Sequence, residues 1–298
     1  MDSQLFVLTK KKRAHCLRLL RNFFHKNSVI EVDTCLLRPY PPIDTHIDIF
    51  EVDNTPKRPL FLHSSPEYEM KKLLAEGIGD IYQLGHVFRK EENGRYHQPE
   101  FTMIEWYRCG TCFDKFIEEN IALLTIFLGK QDCEILTYDQ VFEKYVGLKW
   151  DSPNSHLVNK ARQINRGTYE DPVTLLWGCL VEPNLGQDII TVVKDFPPSQ
   201  AALAQVNLSS AGKLVAERFE FYFNGIELGN GYHELTDPIE QTRRLEEENK
   251  KRLAMGKNCY EIDPEFISAL SKGLPDCYGI ALGFDRLMMF YLGLTHIH

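Results

Sequence analysis

The chain has 298 residues, of which 43% are hydrophobic and 26% are charged, as in an ordinary globular protein with a sizeable core. Its longest apolar run, 121–128, is far too short to cross a bilayer, and its start lacks the basic and apolar segments of a signal peptide. We therefore expect a cytoplasmic protein with no membrane partner. The net charge of −8 argues against a broad electrostatic surface for tRNA or DNA.

Hydrophobic periodicity and turn residues divide the first two thirds of the chain into helices and strand pairs. The predicted elements, in chain order, are a helix at 12–26, a strand at 29–32, an antiparallel strand pair between 80 and 108 around a polar loop at 91–98, a helix at 116–128, a mostly helical region at 136–185 and a strand at 189–193.

The last third carries sharper local signals. Asn224-Gly225 favours a two-residue type I′ turn between strands at 218–223 and 226–228. Asp237-Pro238 predicts the start of a helix that runs to about Met255, because Asp is a good N-cap and Pro suits the first helical position.

The arrangement of these elements indicates the fold class. The segment 279–286 predicts a glycine-containing strand that leads into a helix from Leu287. Strand pairs outside any βαβ rhythm indicate an α+β fold in which helices flank an antiparallel sheet. Because no repeat or linker interrupts the pattern, we expect a single domain over 1–298.

The cysteines do not suggest a disulfide framework, because six of the eight are scattered singly. The other two form Cys109-Gly-Thr-Cys112. A zinc site usually needs a second ligand pair, which is missing at any matching spacing, and no thioredoxin-like unit surrounds the motif. We therefore expect two ordinary thiols.

The strand at 100–108 places chemistry on one face. Strand alternation groups Phe101, Met103, Glu105 and Tyr107 on the same side. A carboxylate beside a phenol on an otherwise apolar face fits a floor on which a ring stacks while Glu105 and Tyr107 bind a cation. A solvated face with incidental aromatic residues explains the same pattern, and the pattern alone leaves both interpretations open.

The hairpin places two carboxylates close together. If Asn224 and Gly225 are the loop residues, Tyr222 is opposite Glu227, and Glu220 lies one diagonal step from Glu227 on the same face. Such a pair repels unless a cation lies between them, and Mg²⁺ with a nucleotide polyphosphate suits hard oxygen ligands. The alternative is two exposed glutamates on a wet sheet face.

Two arginines stand where phosphates are often bound. Arg89 ends the first strand of its pair, and Arg286 stands where a glycine-containing strand meets a helix. Guanidinium groups suit phosphates, and small residues let a ligand approach the backbone. The segment 279–286 is not a Walker A loop, and no dinucleotide-binding glycine motif is present, so an ATP site here is neither of those types.

Together these segments resemble the lysyl-tRNA synthetase-like branch of class II synthetases. The segment 88–107, with Phe-Arg-Lys-Glu-Glu and His-Gln-Pro-Glu-Phe, resembles motif 2, and Gly-Ile-Ala-Leu-Gly-Phe-Asp-Arg at 279–286 resembles motif 3. The helix and strand at 13–32 correspond to motif 1, the dimer element. Glu-Leu-Gly-Asn-Gly-Tyr-His-Glu-Leu at 227–235 resembles the lysyl-specific segment. With Ser-Ser-Pro-Glu at 64–67, the resemblance covers almost the whole chain.

The resemblance implies the class II catalytic fold and a set of site residues. The implied ATP-binding residues are Arg89, Lys90, Glu91, Gln98, Phe101, Glu227, Leu228, Gly283 and Arg286, with Arg89 and Arg286 as the catalytic pair. The implied amino acid-binding residues are Ser65, Pro66, Glu67, Glu105, Tyr107, Asn230, Glu234 and Ala281. Mg²⁺ is assigned to Glu220 and Glu227. In this assignment Arg89 contacts the α-phosphate, Phe101 stacks on adenine and Arg286 contacts the γ-phosphate.

Within that branch the chain is most similar to the elongation factor P–(R)-β-lysine ligases. It begins at the motif 1 helix, so we expect no anticodon-binding domain, and Ala281 replaces a glycine of the tRNA synthetases. The resemblance implies adenylation of (R)-β-lysine or lysine, elongation factor P as the protein acceptor, a homodimer and no stable tRNA binding. Cys35 and Gln98 depart from the usual proline and asparagine. The alternatives are a truncated lysyl-tRNA synthetase and a non-catalytic regulatory paralogue.

Overall fold

A computed structural model describes residues 3–53, 58–165 and 171–297. The helices in these ranges are α1 (Ser3–Lys26), α2 (Glu67–Ala75), α3 (Phe113–Leu128), α4 (Tyr138–Val146), α5 (Asn154–Ile164), α6 (Pro172–Leu176), α7 (Pro238–Ala254), α8 (Pro264–Gly273) and α9 (Phe284–Leu292). The strands are β1 (Ile30–Glu31), β2 (Leu37–Arg38), β3 (Glu51–Val52), β4 (Leu60–Leu62), β5 (Ile81–Phe88), β6 (Glu100–Cys109), β7 (Cys133–Thr137), β8 (Ile190–Phe196), β9 (Val206–Leu208), β10 (Leu214–Phe223), β11 (Ile226–His233) and β12 (Cys277–Gly283).

The chain divides into two compact units, each of which is described by itself. The first unit comprises Met1–Gly129 with His233–His298, and the second comprises Lys130–Tyr232. The second unit is therefore an insertion between two segments of the first. A single catalytic domain over the whole chain stays a prediction.

The sheet of the first unit is built around β6. This strand pairs antiparallel with β5 on one side and with β12 on the other, and β1 adds in parallel to the far edge of β5. The antiparallel pair predicted around the polar loop and the glycine-containing strand predicted near the C-terminus are both confirmed. A separate small sheet has the order β2-β4-β3.

Helix α1 covers part of this sheet through its predicted apolar stripe. Leu20 and Phe24 are completely buried, and the Phe24 ring stacks on Tyr82 with 4.1 Å between centroids. The helix begins at Ser3, nine residues before the predicted start at Lys12. Its first turns could not be recognised by periodicity because their apolar residues, such as Phe6 at 50% exposure, do not face a core within the chain.

The second unit combines a sheet with short helices. Its β10 pairs antiparallel with β8 and β11, β9 adds to β10, and β7 pairs in parallel with β8. Tyr138 of α4 stacks on Trp177, and both pack against Phe196. The helical prediction for 136–185 is confirmed where the structure describes it, whereas 166–170 lie outside the described residues. The strand β7 was not predicted.

The predicted turn and helix caps are confirmed. Asn224 and Gly225 have φ values of 49° and 71°, as a type I′ turn requires. The Asp237 side chain accepts hydrogen bonds from the backbone N–H groups of Ile239 and Glu240 at the start of α7. Asp263 caps α8 in the same way, so the same Asp-Pro signal could have predicted that helix too.

A buried arginine organises the loop that precedes β3. The Arg252 side chain is 1% exposed and donates to the carbonyl oxygens of Asp44, Ile47 and Asn258 and to the Asp48 carboxylate. The backbone N–H of Lys90 donates to the Asp48 carbonyl oxygen at 2.7 Å. The loop held by Arg252 therefore fixes the chain directly after Arg89.

Candidate active site

The centre of the first unit's site is Glu105 on β6. The strand register places Glu105 opposite Gln83 of β5 and Ala281 of β12, and it places Tyr107 opposite Gly279. Because residues that are opposite in register share a face, these positions line one surface. Glu105 is 3% exposed and Tyr107 is 2% exposed, so the alternative of a solvated face is wrong.

Both oxygens of the Glu105 carboxylate accept hydrogen bonds. The Tyr107 hydroxyl donates to Oε1 at 2.7 Å, and the Ser65 hydroxyl donates to Oε2 at 2.8 Å. Ser65 Oγ in turn accepts from the backbone N–H of Glu67, next to Pro66, where α2 begins. The predicted residues at 65–67 and on β6 therefore form one connected group.

A lysine that sequence analysis did not single out completes this group. Lys71 is completely buried in α2, and its Nζ lies 2.7 Å from Glu67 Oε1 and 2.5 Å from Glu234 Oε2. Sequence analysis missed it because a lysine four residues after a glutamate reads as a surface ion pair of a helix. The cluster thus holds three carboxylates, those of Glu67, Glu105 and Glu234, and one cation.

Burial and the excess of carboxylates raise the proton affinity of the group. Burial, and then the charge of Glu67, raise the pKa of Glu105 from 4.5 to about 8. Burial raises the pKa of Glu234 to about 7, although Lys71 acts in the opposite direction. Burial acts to lower the pKa of Lys71, but the charges of Glu234 and Glu67 raise it overall. Lys71 is therefore charged at neutral pH, and Glu105 and Glu234 bind protons more strongly than free carboxyls do; a bound cation would favour release of those protons.

A glycine on β12, Gly279, lets Glu234 and Tyr107 pack closely against the strand. A Cβ at Gly279 would overlap both Oε1 of Glu234 and the ring edge of Tyr107. Two positions further along β12, Ala281 is opposite Glu105 and places one methyl group on the same face of the sheet. Gly279 lies in the segment that resembles motif 3, but the sequence predicts no role for it.

Several of the residues expected to bind ATP lie at the other end of β6, whereas Glu227 and Leu228 of that set belong to the second unit. The Arg89 guanidinium lies over the Phe101 ring, 5.1 Å from its centroid. Arg286 hydrogen-bonds through Nη2 to His97 Nε2 at 2.8 Å and through Nε to the Tyr96 carbonyl at 3.4 Å. Arg286 therefore contacts the motif 2 loop, which also carries Lys90, Glu91 and Gln98. Gly283 is opposite Met103 on β12.

An arginine of α1 contacts both β6 and α9 at this end of β6. Arg13 donates to the Asp285 carboxylate at 2.5 Å and to the Thr102 hydroxyl at 2.6 Å, and the backbone N–H of Thr102 donates to Asp285 at 2.7 Å. Thr102 follows Phe101 and Asp285 precedes Arg286. The ring of contacts therefore ties α1 to the two residues that are expected to flank the nucleotide.

The second unit holds the two glutamates predicted to bind a metal. Glu220 is 5% exposed, and its carboxylate accepts hydrogen bonds from Arg218 and from the Tyr222 hydroxyl. Burial raises the pKa of Glu220; Arg218 opposes this shift and the charge of the nearby Glu227 adds to it. The hairpin thus brings the two carboxylates together as predicted, and it adds two partners that were not predicted.

A β-bulge changes the register that the turn predicted. The pairs Phe223–Ile226 and Tyr222–Glu227 are confirmed, but beyond them Glu220 pairs with Asn230 rather than with Gly229. The extra residue falls at Leu228. As a result Asn230 shares a face with Glu220, and its buried Oδ1 has no hydrogen-bond partner.

Other metal and thiol chemistry finds little support in the described residues. Within 3–53, 58–165 and 171–297, no group of three or more His, Cys, Asp or Glu side chains could hold a metal ion. Any Mg²⁺ at Glu220 and Glu227 would therefore depend on further oxygens from a ligand. Cys109 and Cys112 are free thiols, as expected, and the other six cysteines are also free.

Comparison with known proteins agrees with this geometry. The profile of the class II tRNA synthetases (D, K and N) matches residues 7–298. The chain is 43% identical over 300 residues to an elongation factor P–(R)-beta-lysine ligase of Vibrio atlanticus, and the match covers 96% of this chain and 92% of that protein. It is 44% identical over 297 residues to the protein of the same name from Pasteurella multocida, with 96% and 91% covered.

The chain belongs to the class II tRNA synthetase family. The predicted α+β class, the predicted use of ATP and the predicted type of enzyme, an ATP-dependent ligase, are confirmed at this level. No helix in the described part of the chain is long and apolar enough to span a membrane.

Glu105 should make the stability of this synthetase-family protein depend on pH. Its carboxyl holds a proton in the folded state up to pH about 8 but releases it near 4.5 when unfolded, so the folded state binds more protons in that window. The free energy of unfolding should therefore fall as pH rises from about 4.5 to 8. We expect Glu105→Gln to flatten this slope by up to about 1.4 kcal/mol per pH unit in urea titrations.

The exposed Glu246→Gln on α7 is the matched control and should leave the slope of wild type unchanged. An equally steep fall in Glu105→Gln would show that Glu105 is not the carboxyl that holds the proton.

Gly279→Ala should damage the amino acid site selectively, because the added methyl must displace Glu234 or Tyr107. We expect KM for the amino acid in ATP–pyrophosphate exchange to rise by about tenfold or more, which is about 1.4 kcal/mol, while KM for ATP changes little. Gly85→Ala on β5 is the control, since its methyl would lie 3.6 Å from the nearest side-chain atom. Equal KM values in the two variants would contradict the assigned pocket.

Proposed function

We propose that this protein activates (R)-β-lysine with ATP as an aminoacyl-adenylate and transfers it to the ε-amino group of a lysine on elongation factor P. The observation that carries the proposal is the cluster of buried Glu105 and Glu234 with partly buried Glu67, in which Lys71 is the cation. If all four groups are charged, the cluster has two negative charges in excess. A diamino acid supplies two ammonium groups and therefore matches it.

The names of the relatives support the rest of the proposal. Proteins 43–44% identical to this chain over 96% of its length are called elongation factor P–(R)-beta-lysine ligases. The same name applies to a relative in Vibrio cholerae at 43% identity. A protein acceptor also fits the net charge of −8, which offers no broad attraction to tRNA. We infer that tRNA is not a stable partner.

The adenylation step requires charge stabilisation and alignment more than covalent catalysis. The substrate carboxylate attacks the α-phosphate, the bond to the β-phosphate breaks, and pyrophosphate leaves. We assign Arg89 to the α-phosphate, where charge develops, and Arg286 to the γ-phosphate. Phe101, on which the Arg89 guanidinium lies here, would stack on adenine when ATP binds. Gln98 and Glu91 on the motif 2 loop would contact the nucleotide.

On the substrate side, we assign the binding of nitrogen to the carboxylates of the cluster. Glu105 with Tyr107 would bind the side-chain ammonium, and Glu67 with Glu234 would bind the ammonium near the carboxylate. Ala281 lies opposite Glu105 and adds a methyl to this row. Because a methyl changes discrimination by only about 1–3 kcal/mol, Ala281 biases the choice of isomer without deciding it.

We propose Glu220 and Glu227 as ligands of Mg²⁺. Their adjacent carboxylates are hard oxygen donors, and Mg²⁺ usually takes one or two carboxylates together with phosphate oxygens. The unpartnered Oδ1 of Asn230 on the same face fits a ligand at this end of the hairpin. When bound, the ion would neutralise charge on a polyphosphate.

The predicted homodimer and cytoplasmic location stay predictions. Helix α1 and β1 correspond to the motif 1 dimer element, and the exposed apolar side chains of Phe6, Val7, Leu8 and Ile30 are surface that a dimer would cover. Cys35, where proline is usual, lies close to this element in the sequence.

The proposed activity predicts a specific product. Incubation with ATP and (R)-β-lysine should increase the mass of elongation factor P by one lysyl residue, and ATP–pyrophosphate exchange should be stimulated more by (R)-β-lysine than by α-lysine. Arg89→Gln is the control and should abolish both signals, because it removes the charge assigned to the α-phosphate. Mass spectrometry of elongation factor P measures the transfer directly.

The alternatives give different results. Efficient charging of tRNA with lysine, without modification of elongation factor P, would show a lysyl-tRNA synthetase. Binding of lysine with no exchange for either isomer would show a non-catalytic regulatory paralogue.

The metal assignment has its own test. Glu227→Gln should raise the Mg²⁺ concentration for half-maximal exchange by about tenfold or more, which is about 1.4 kcal/mol, because it removes one anionic ligand. Glu227 is preferred to Glu220, whose loss would leave the partly buried Arg218 without its carboxylate partner. Glu217→Gln is the control, because the Glu217 carboxylate accepts a hydrogen bond from Asn207 of β9. A Mg²⁺ dependence identical to wild type in Glu227→Gln would remove Glu227 from the metal site.

A further inference from the structure

Lys71 is the one member of the carboxylate cluster for which neither the sequence motifs nor the relatives suggest a role. It is completely buried on α2, and its Nζ bridges Glu67 at 2.7 Å and Glu234 at 2.5 Å. Those two glutamates are the ones assigned to a substrate ammonium. Lys71 therefore already occupies one oxygen of each carboxylate before any substrate binds.

We propose that Lys71 is a positioning and specificity-determining residue that sets the charge and the spacing of the amino acid pocket. The inference rests on the proposed function. Lys71 neutralises one of the three carboxylates. Two negative charges then remain, and the two ammonium groups of a diamino acid neutralise them. By holding one oxygen of Glu67 and one of Glu234, Lys71 leaves only their remaining oxygens for the substrate, which restricts where an amino group can lie relative to the reacting carboxylate.

The geometry argues against a merely structural ion pair. A lysine that served only to attach α2 could lie at the surface, as in many helix ion pairs. There its ammonium group would avoid the desolvation cost of burial. Lys72, the next residue, is less buried, with 15% of its side chain exposed, and pairs with Asp263 at 2.7 Å and Glu69 at 2.8 Å. Lys71 instead sits at zero exposure between carboxylates that also surround Glu105.

Removing Lys71 should leave the carboxylates in place but with one more negative charge. The vacated space corresponds to a propylammonium chain, so a small alkylammonium ion can enter it. Loss of a buried ion-pair partner should lower kcat/KM for the amino acid by about 100-fold. Ethylammonium in the assay should restore much of this loss, because it returns the missing charge to the same carboxylates.

The experiment compares Lys71→Ala with Lys72→Ala in the full chain. We expect Lys71→Ala to lose about 100-fold in kcat/KM for (R)-β-lysine, to recover with ethylammonium, and to keep its KM for ATP. We expect Lys72→Ala to lose thermal stability without recovery by ethylammonium. Equal kinetic behaviour of the two variants, with no effect of ethylammonium on either, would overturn the proposal.

Lys71→Arg separates charge from spacing. It keeps the positive charge in a broader fork, so activity should survive while the ratio of kcat/KM for (R)-β-lysine and α-lysine changes by about fivefold or more, or about 1 kcal/mol. This variant also covers the case in which Lys71→Ala does not fold. An unchanged ratio in Lys71→Arg would exclude a role in choosing the isomer.

A measurement without catalysis keeps this inference distinct from the proposed function. In protein with ¹³C-labelled glutamate carboxyls, NMR titration should show glutamates of the Lys71→Ala pocket releasing protons at higher pH than in wild type, and ethylammonium should reverse the shift. Wild-type protein that fails to activate any lysine isomer would refute the proposed function while this titration still tests Lys71. Titration curves identical in wild type and Lys71→Ala would refute the role of Lys71.

Discussion

The excess of buried carboxylates over cations is the constraint on which the first unit depends. Glu105 and Glu234 are almost completely buried, and Lys71 is the only cation shown in contact with their cluster in the described chain. Buried charge without a partner costs several kcal/mol, so the protein meets that cost by holding protons and by donating hydrogen bonds from Tyr107 and Ser65. In the proposed function a dicationic ligand would replace those protons, and the selectivity for a diamino acid would follow from this exchange.

The sheet order makes this cluster possible. Only a central strand can bury a carboxylate on one face while both neighbours supply small or polar residues, and β6 lies between β5 and β12. The missing Cβ of Gly279 admits Tyr107 and Glu234, and the methyl of Ala281 stands beside Glu105. At the other end of β6, Arg13 reaches from α1 to Thr102 and Asp285. One strand therefore carries residues of both the proposed amino acid site and the proposed nucleotide site, and Arg13 links the latter to α1.

The sequence predicted those features whose cause is local. Strand alternation was enough to group Glu105 with Tyr107. The turn predicted at Asn224-Gly225, whose residues have positive φ values, was enough to place Glu220 near Glu227. Features that depend on non-local packing were missed. The bulge at Leu228 follows from how β10 meets its partner, and no turn signal encodes it. Lys71 has the spacing of a surface pair, and only the tertiary position of Glu234 shows that it is a buried bridge.

Under the proposed function, the pocket must distinguish two isomers of lysine. Both isomers carry two ammonium groups and one carboxylate, so the total charge of the cluster selects for a diamino acid but cannot separate the two. Separation must come from position, and the methyl of Ala281 supplies only about 1–3 kcal/mol of it. In the proposed pocket, the remaining positional constraint comes from the bridge of Glu67 and Glu234 through Lys71, because both of its contacts are short and Lys71 and Glu234 are buried. Selection for charge and selection for position are then carried by the same buried side chain.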